Sequence, residues 1–352
     1  MKSFEHEYFM HQPISQSLLM NVRILGEFRG RQSLYRDQFS EILETLRRVA
    51  VIQSTESSNR IEGVTVASGR LEAIVVKKSR PKNRSEQEVA GYRDVLADIH
   101  ANALKHQLSP LLILRWHKQM YRYTTEAAGV WKKENNAIIE VLPDGRKVIR
   151  FRPITAQATP GAVDRLCKSY NELIAQRRAE PLLVVASFIL DFECIHPFRD
   201  GNGRIGRLLT LLLLYRAGYE VGRFVSLERV IEDSKETYYD VLYKSSQGWH
   251  EGEHDLHPWW EYFLGTLIAA YNEFESRVGM ITTARGAKRE MVIAAIERLP
   301  EEFSFSELQR ACPGVSFATL KRDLQDLKKK KHVIPLGLGR DARWKRIVSG
   351  SR

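Results

Sequence analysis

The sequence predicts a mainly helical chain with one β-hairpin near its middle and a compact, basic lobe at its C-terminal end. Three observations predict this. Apolar residues recur at helical spacing through most of the 352 residues. A single Pro143-Asp144-Gly145 turn separates two β-rich runs in the segment AIIEVLPDGRKVIRFRP. From residue 315 onward, eleven Lys and Arg stand against three Asp, a net +8 within a chain total of +11. A basic lobe is therefore appended to a nearly neutral body.

The elements follow in order. Residues 34–51 carry Phe39, Ile42, Leu43, Leu46 and Val49 at helical spacing, and the pattern runs on through 54–62 to Gly63, a C-cap candidate. Ser85-Glu86-Gln87-Glu88 has the form of a capping box and opens a helix to about His106. Ser109-Pro110 opens another, through Leu114, His117 and Tyr121. After the hairpin, helices are predicted at 161–178, 181–195, 203–217, 226–246 and 257–278. The polar stretch 282–288 reads as a linker. Helices at 288–299, 304–311 and 316–330 follow, then a β wing at 333–347 with Gly337 and Gly339 at its tip. That is the order of a winged helix-turn-helix. Three parts result: an N-terminal helical region (1–80), a core domain (81–280) and a winged-helix domain (288–352).

Composition narrows the function classes. The chain is long enough for two or three real cores, and no run of eighteen apolar residues occurs. The N-terminus mixes charges with aromatics and has no signal-peptide apolar region. Cys167, Cys194 and Cys312 are widely spaced and form no CxxC pair, which points to a reducing cytoplasm and away from structural zinc or a disulfide framework. No membrane partner is expected.

The chemistry concentrates in Ile195-His196-Pro197-Phe198-Arg199-Asp200-Gly201-Asn202-Gly203-Arg204-Ile205-Gly206-Arg207, a polar turn between two apolar helices. Amides at the start of the second helix lack intrahelical partners, and its dipole adds positive charge, so the turn suits an anion. Gly201 and Gly203 allow the backbone to wrap phosphate oxygens, and Asn202 can donate an amide hydrogen to the same anion. Arg204 and Arg207 are three apart and are both placed to grip phosphates. Polyphosphate arrives with Mg²⁺, for which Asp200 supplies a carboxylate. His196, at the end of the preceding helix, can take a proton from an incoming hydroxyl, a role worth about 10²–10⁴-fold in rate. Phe198 is expected to point into the core and fix the loop.

This segment resembles the core motif of the Fic family, HPFx(D/E)GNGRxxR, at every position, and the resemblance extends over roughly residues 34–278. It implies an all-α core with a hairpin flap and AMP transfer from Mg²⁺-bound ATP to Ser, Thr or Tyr hydroxyls of target proteins. In that reading His196 is the base and Asp200 holds Mg²⁺. Asn202 steadies the α-phosphate, and Arg204 and Arg207 hold the β and γ groups. Ser58-Asn59-Arg60-Ile61-Glu62-Gly63 is similar to the family's inhibitory motif (S/T)xxxE(G/N). Ser58 and Glu62 lie one helical turn apart, and Glu62 paired with Arg207 would remove the γ-phosphate clamp. The hairpin resembles the flap that clamps a target strand. Tyr239 resembles the adenine wall, while Ser246 stands where some relatives carry an Asn that reads the base. Dimers are common in the family.

The basic lobe adds a second reading. Leu320, Leu324 and Leu327 form the inner stripe of a recognition helix, leaving Lys321, Arg322 and Lys328 outward for DNA phosphates. The rival to an autoinhibited transferase is then a DNA-binding transcriptional regulator whose Fic-like core senses nucleotide.

Overall fold

The computed structural model describes residues 2–38, 40–141, 144–312, 316–337 and 343–347. Packing divides the chain into two units, Met1–Phe274 and Glu275–Arg352. The N-terminal region and the core, predicted as separate parts, belong to one unit.

The first unit begins with a 3₁₀ segment, Lys2–His11, and the helices α1 (Gln16–Gln38), α2 (Ser40–Ile61) and α3 (Ser68–Val75). Next come α4 (Arg84–Asn102), a 3₁₀ turn, α5 (Pro110–Met120), and strands β1 (Ile138–Val141) and β2 (Lys147–Phe151). After them run α6 (Thr159–Gln176), α7 (Pro181–Ile195), α8 (Asn202–Arg216), a second 3₁₀ turn, α9 (Leu227–Asp233), α10 (Lys235–Ser246) and, up to Phe274, the first part of α11 (His257–Arg298). Strands β1 and β2 pair antiparallel, with Ile139 opposite Ile149 and Val141 opposite Lys147. Gly145 takes φ +82° in the turn, and Pro143 lies outside the described residues.

The two most apolar helices, α7 and α8, make the centre. Leu208, Leu209, Leu211, Leu212, Leu213 and Leu214 are all buried against Leu182, Val184, Val185, Phe188 and Leu190. A helix apolar all round must be enclosed by others, and α1, α2, α4, α6 and α11 supply the shell. The polar turn joining α7 to α8 is thereby held between the two central helices. Gly63 does end α2: at φ +80° it lets the Val64 N–H reach Asn59 O (3.0 Å) and its own N–H reach Arg60 O (3.0 Å).

Several local expectations are corrected. The periodic stretch 34–51 is helical on both sides of Phe39, which lies outside the described residues. The cap of α4 is Asn83, whose side chain accepts the Glu86 N–H at 2.9 Å. Ser85, the predicted cap, lies inside the first turn. The predicted 226–246 helix is broken at Ser234, whose hydroxyl turns back to Val230 O (3.0 Å) and also meets the Tyr262 hydroxyl (2.8 Å). The stretch 282–288 is helical and lies within α11, not a linker loop.

In the second unit, the last turns of α11 are followed by β3 (Glu302–Ser304), α12 (Phe305–Ala311), α13 (Phe317–Lys329), β4 (Val333–Pro335) and β5 (Arg343–Arg346). The antiparallel sheet has the order β3-β5-β4. Val292, Ile296, Phe303, Leu308, Leu320, Leu324, Leu327 and Val333 form its core. Ser304 caps α12 in a reciprocal capping box with Glu307. Of the predicted tip, Gly339 lies outside the described residues. Among the described residues no helix is long and apolar enough to cross a membrane.

Candidate functional site

The α7–α8 turn is fastened from three sides. Helix α7 ends with His196 in the left-handed region (φ 49°), its N–H bonded to Phe192 O. Phe198 is fully buried, with its ring stacked 3.7 Å from that of His117. His117 Nε2 donates to Asp200 O (3.1 Å), and its Nδ1 accepts the Gly129 N–H (2.9 Å). Burial depresses the pKa of His117 to about 4, so this bridge uses a neutral ring. Lys132 donates to Ile195 O (3.0 Å), and Asn136 donates to His196 O and Phe198 O. Of these supports, the sequence marked out only Phe198, which is buried as expected. His117 was visible only as one residue of a helical pattern.

Inside the turn, Asn202 is a brace. Its Oδ1 accepts the Phe198 N–H (2.8 Å) and its Nδ2 donates to Phe198 O (2.9 Å). Gly201 stands at φ +81°, where an added Cβ would come within 2.7 Å of Met120 Cε and 2.9 Å of the Tyr121 hydroxyl. Both the backbone angle and the space require glycine.

The two arginines part company. Arg204 is buried, with Nη1 on Glu88 (2.5 Å) and Nη2 on the Tyr121 hydroxyl (2.7 Å) and Asp200 (3.4 Å). Arg207 turns the other way, donating Nε to Ser58 Oγ (2.8 Å) and Nη2 to Ser58 O (2.8 Å) and Glu62 Oε1 (2.8 Å). Both arginines expected to grip phosphates are engaged by protein groups in this structure, Arg204 by Glu88 of α4 and Arg207 by Ser58 and Glu62. Arg204→Ala should lower stability by about 3 kcal/mol, since it strips a buried carboxylate of its main partner while Arg84 (3.0 Å) remains. Thermal or denaturant melts check this.

The end of α2 is itself pinned. Lys235 Nζ donates to Ile61 O (2.8 Å), and Arg60 pairs with Glu232 and Glu56. Ser58 and Asn59 are buried, whereas about a third of the Glu62 side chain is exposed.

A cavity of about 640 Å³ opens beside the turn. Its walls include Glu62, Glu193, His196, Gly203 and Arg207 at one end and Tyr239, Leu242, Tyr243 and Ser246 at the other. Ile138, Ile139, Arg150 and Phe151 of the hairpin lie along it. The volume and mixed lining suit a small ligand. Of the predicted site residues, His196, Gly203, Arg207, Tyr239 and Glu62 face this cavity; Ser58, Asp200, Gly201, Asn202 and Arg204 do not line it. Gly203 is where Glu62 crosses, since an added Cβ would lie 2.5 Å from Glu62 Oε1.

Electrostatics set the protonation states. Burial, aided by the Lys132 ammonium, presses the pKa of His196 down to about 4, so its imidazole is neutral at pH 7 and free to accept a proton. Glu193, missed in the sequence, lies three residues earlier with its side chain 12% exposed at the cavity wall. Burial pushes its carboxyl up to about 7, with Arg207 pulling it down and Glu62 pushing it further up.

Asp200 provides a test for Mg²⁺. Burial works to raise its pKa, but the Tyr121 hydroxyl (2.7 Å), Arg204 and the Gly201 N–H (2.7 Å) outweigh that and keep it below the usual carboxylate value. Its side chain is 62% exposed. One ionised, accessible carboxylate fits a cation that keeps its waters and brings substrate phosphates as further ligands.

Comparison with known proteins follows this geometry. Residues 107–214 match the Fic/DOC family. A Fido domain-containing protein of Dictyostelium discoideum is 37% identical over 65 residues, 17% of this chain and 46% of that protein. A "Protein adenylyltransferase Fic" of Nematostella vectensis is 24% identical over 210 residues, 56% of this chain and 44% of that protein. The chain thus spans less than half the length of these curated relatives. A crystal structure of a Fic family protein from Desulfovibrio desulfuricans superposes with a TM-score of 0.61 at 23% identity, covering 97% of this chain and 99% of that one. At this identity the likeness concerns the fold.

Proposed function

From the Fic/DOC domain that this chain carries at residues 107–214, we propose that it is an autoinhibited protein adenylyltransferase. The observation that carries the reading is Arg207, held by Ser58 and Glu62 at the wall of the cavity that also receives His196. An anion-seeking guanidinium occupied by an internal carboxylate is what an idle phosphate site looks like.

In the working state, His196 takes the proton of a target Ser, Thr or Tyr hydroxyl. The oxygen bonds to the α-phosphorus of ATP, and pyrophosphate leaves with the electron pair of the broken P–O bond. Gly203 and the first-turn amides of α8 lie beside the phosphates, Arg207 holds the terminal one, and Tyr239 flanks the base. Mg²⁺, held by Asp200 with the nucleotide, supplies charge neutralisation when bound. The hairpin, with Ile139, Val148 and Ile149 exposed, offers an edge on which a target segment adds as a strand. The position of a radiolabel tests the reaction class: α-labelled ATP should mark protein and γ-labelled ATP should not. Label from the γ position alone would replace AMP transfer by phosphate transfer.

The second unit has a reading of its own, favoured by the exposed cations of α13 and its end. Lys321, Arg322, Lys328, Lys329, Lys330 and Lys331 are exposed, while Leu320, Leu324 and Leu327 are buried beneath them. We propose that this unit is a winged helix-turn-helix that contacts duplex DNA. An α-helix about 10–12 Å across fits a major groove about 12 Å wide, which the deep, narrow groove of duplex RNA does not match. DNA affinity should fall log-linearly with salt, and Lys328→Ala with Lys329→Ala should reduce that slope by about 2. An unchanged slope, or preference for RNA, would reject this contact.

A further inference from the structure

We infer that Glu193 is the positioning residue of the base: its carboxylate takes the Nδ1–H of His196, leaving Nε2 open to the target hydroxyl and steadying the imidazolium that forms. This rests on the transfer reading above and adds a member to that site.

The geometry supplies the argument. Glu193 lies in the last turn of α7, and its Oε2 is 3.9 Å from His196 Nδ1. Glu193 Oε1 and His196 Nδ1 are both buried, and neither has a hydrogen-bond partner. A buried carboxylate oxygen and a buried ring nitrogen are each costly to leave unpaired, and the other carboxylate oxygen, Oε2, is the one that stands 3.9 Å from the ring. Rotation about the broad terminal torsion of a glutamate brings the carboxyl towards the ring. Gly206 of α8 makes the room, since a Cβ there would collide with Glu193 Oε1. The acceptor at one ring nitrogen decides which tautomer the other presents.

Charged and titratable neighbours explain why the bond is unmade in the resting protein. Arg207 faces Glu193 from α8, Glu62 from the end of α2, and Tyr238 and Tyr239 from α10; Lys132 bears on His196. Burial and Glu62 favour the neutral carboxyl, whose pKa stands near 7. Removing Glu62 from this side lowers that value, so ionised Glu193 and a free Arg207 come together. During transfer the hydroxyl proton goes to Nε2, Nδ1 keeps its own proton in the bond to Glu193, and the extra proton later leaves to water.

The sign of the pH dependence follows. The required carboxylate is present above its pKa and lost as pH falls through it, whereas His196 stays neutral down to about 4. An acid limb between about 4 and about 7, above the range in which His196 charges, therefore belongs to Glu193 and not to the base.

The test uses the full chain carrying Glu62→Gly. Adding Glu193→Gln, which keeps the shape, should lower kcat for AMP incorporation by about 10²-fold, change KM for ATP by less than about two-fold and remove the acid limb. Glu193→Asp should recover part of the rate. In nucleotide-free protein, nitrogen NMR of the imidazole should find the Nδ1–H tautomer with Glu193 and its loss in Glu193→Leu. The main-chain carbonyl of Glu193 also bears on the ring and survives every substitution. An unchanged tautomer in Glu193→Leu, or an unchanged limb in Glu193→Gln, assigns the ring's partner to that carbonyl and overturns the proposal. Should Glu62→Gly transfer no AMP at all, the transfer reading fails, and the tautomer still decides the role of Glu193.

Discussion

Glu62→Gly should raise AMP incorporation by about one to two orders of magnitude over the wild type. The Arg207–Glu62 contact is a 2.8 Å ion pair with Arg207 almost wholly buried and Glu62 about two-thirds covered. A hydrogen bond between charged groups is worth about 1.5–3 kcal/mol, and each 1.4 kcal/mol is a factor of ten. That energy must be spent whenever a terminal phosphate displaces the carboxylate, and the substitution removes the competitor. The helix body should survive, because α2 ends at Ile61 and Gly63 already makes the reversal. Ser58→Ala should give a smaller rise, since it deletes the Oγ acceptor (2.8 Å) but leaves Ser58 O and Glu62 on the same guanidinium. Labelling with α-labelled ATP and Mg²⁺, read against melting temperature, checks both. Equal labelling in the wild type and Glu62→Gly would show that this contact is structural.

His196→Ala, placed in the Glu62→Gly background, should reduce labelling by at least about 10²-fold, and by up to about 10⁴-fold. The imidazole is the neutral acceptor beside Arg207 and Gly203 on the cavity wall, and its removal leaves the arginine to hold nucleotide. The loss should therefore fall on kcat, with ATP affinity nearly kept when measured by direct binding. Stability should change little, since the backbone of residue 196 and the clasp of Phe198, His117 and Asn136 hold the turn. Retention of label in this double variant would move the chemistry to another group.

Much of the fold was legible in residue order. The long apolar helices 181–195 and 203–217 announced themselves because a core helix needs no polar face. The PDG turn fixed the hairpin, and Gly63 ended α2 as its position suggested. What stayed hidden was decided by tertiary partners. Ser234 breaks a continuous pattern only because its hydroxyl finds Val230 O and Tyr262, which a window of neighbours cannot reveal. Asn83 outcompetes Ser85 as a cap by two residues, within the usual blur of helix ends. Spacing put Arg204 and Arg207 one helical turn apart, but it could not show that the buried carboxylate of Glu88, 116 positions away, claims the first of them. Glu193 read as an ordinary polar residue at a helix end. Only the packing of α7 on α8 shows that its carboxyl is enclosed beside the imidazole.

On the proposed autoinhibited reading, the way α2 is anchored decides what kind of switch Glu62 makes. Lys235 and Arg60 rivet its last turn, and Ser54, Ser58 and Asn59 are sunk in the interior, so sliding the whole rod away would strand several polar groups. Glu62 hangs just past the final rivet. On that reading, activation needs one side chain to swing outward, a nanosecond rotamer event and not a millisecond rearrangement of domains. A partner that merely offers that carboxylate a better cation outside is a sufficient trigger.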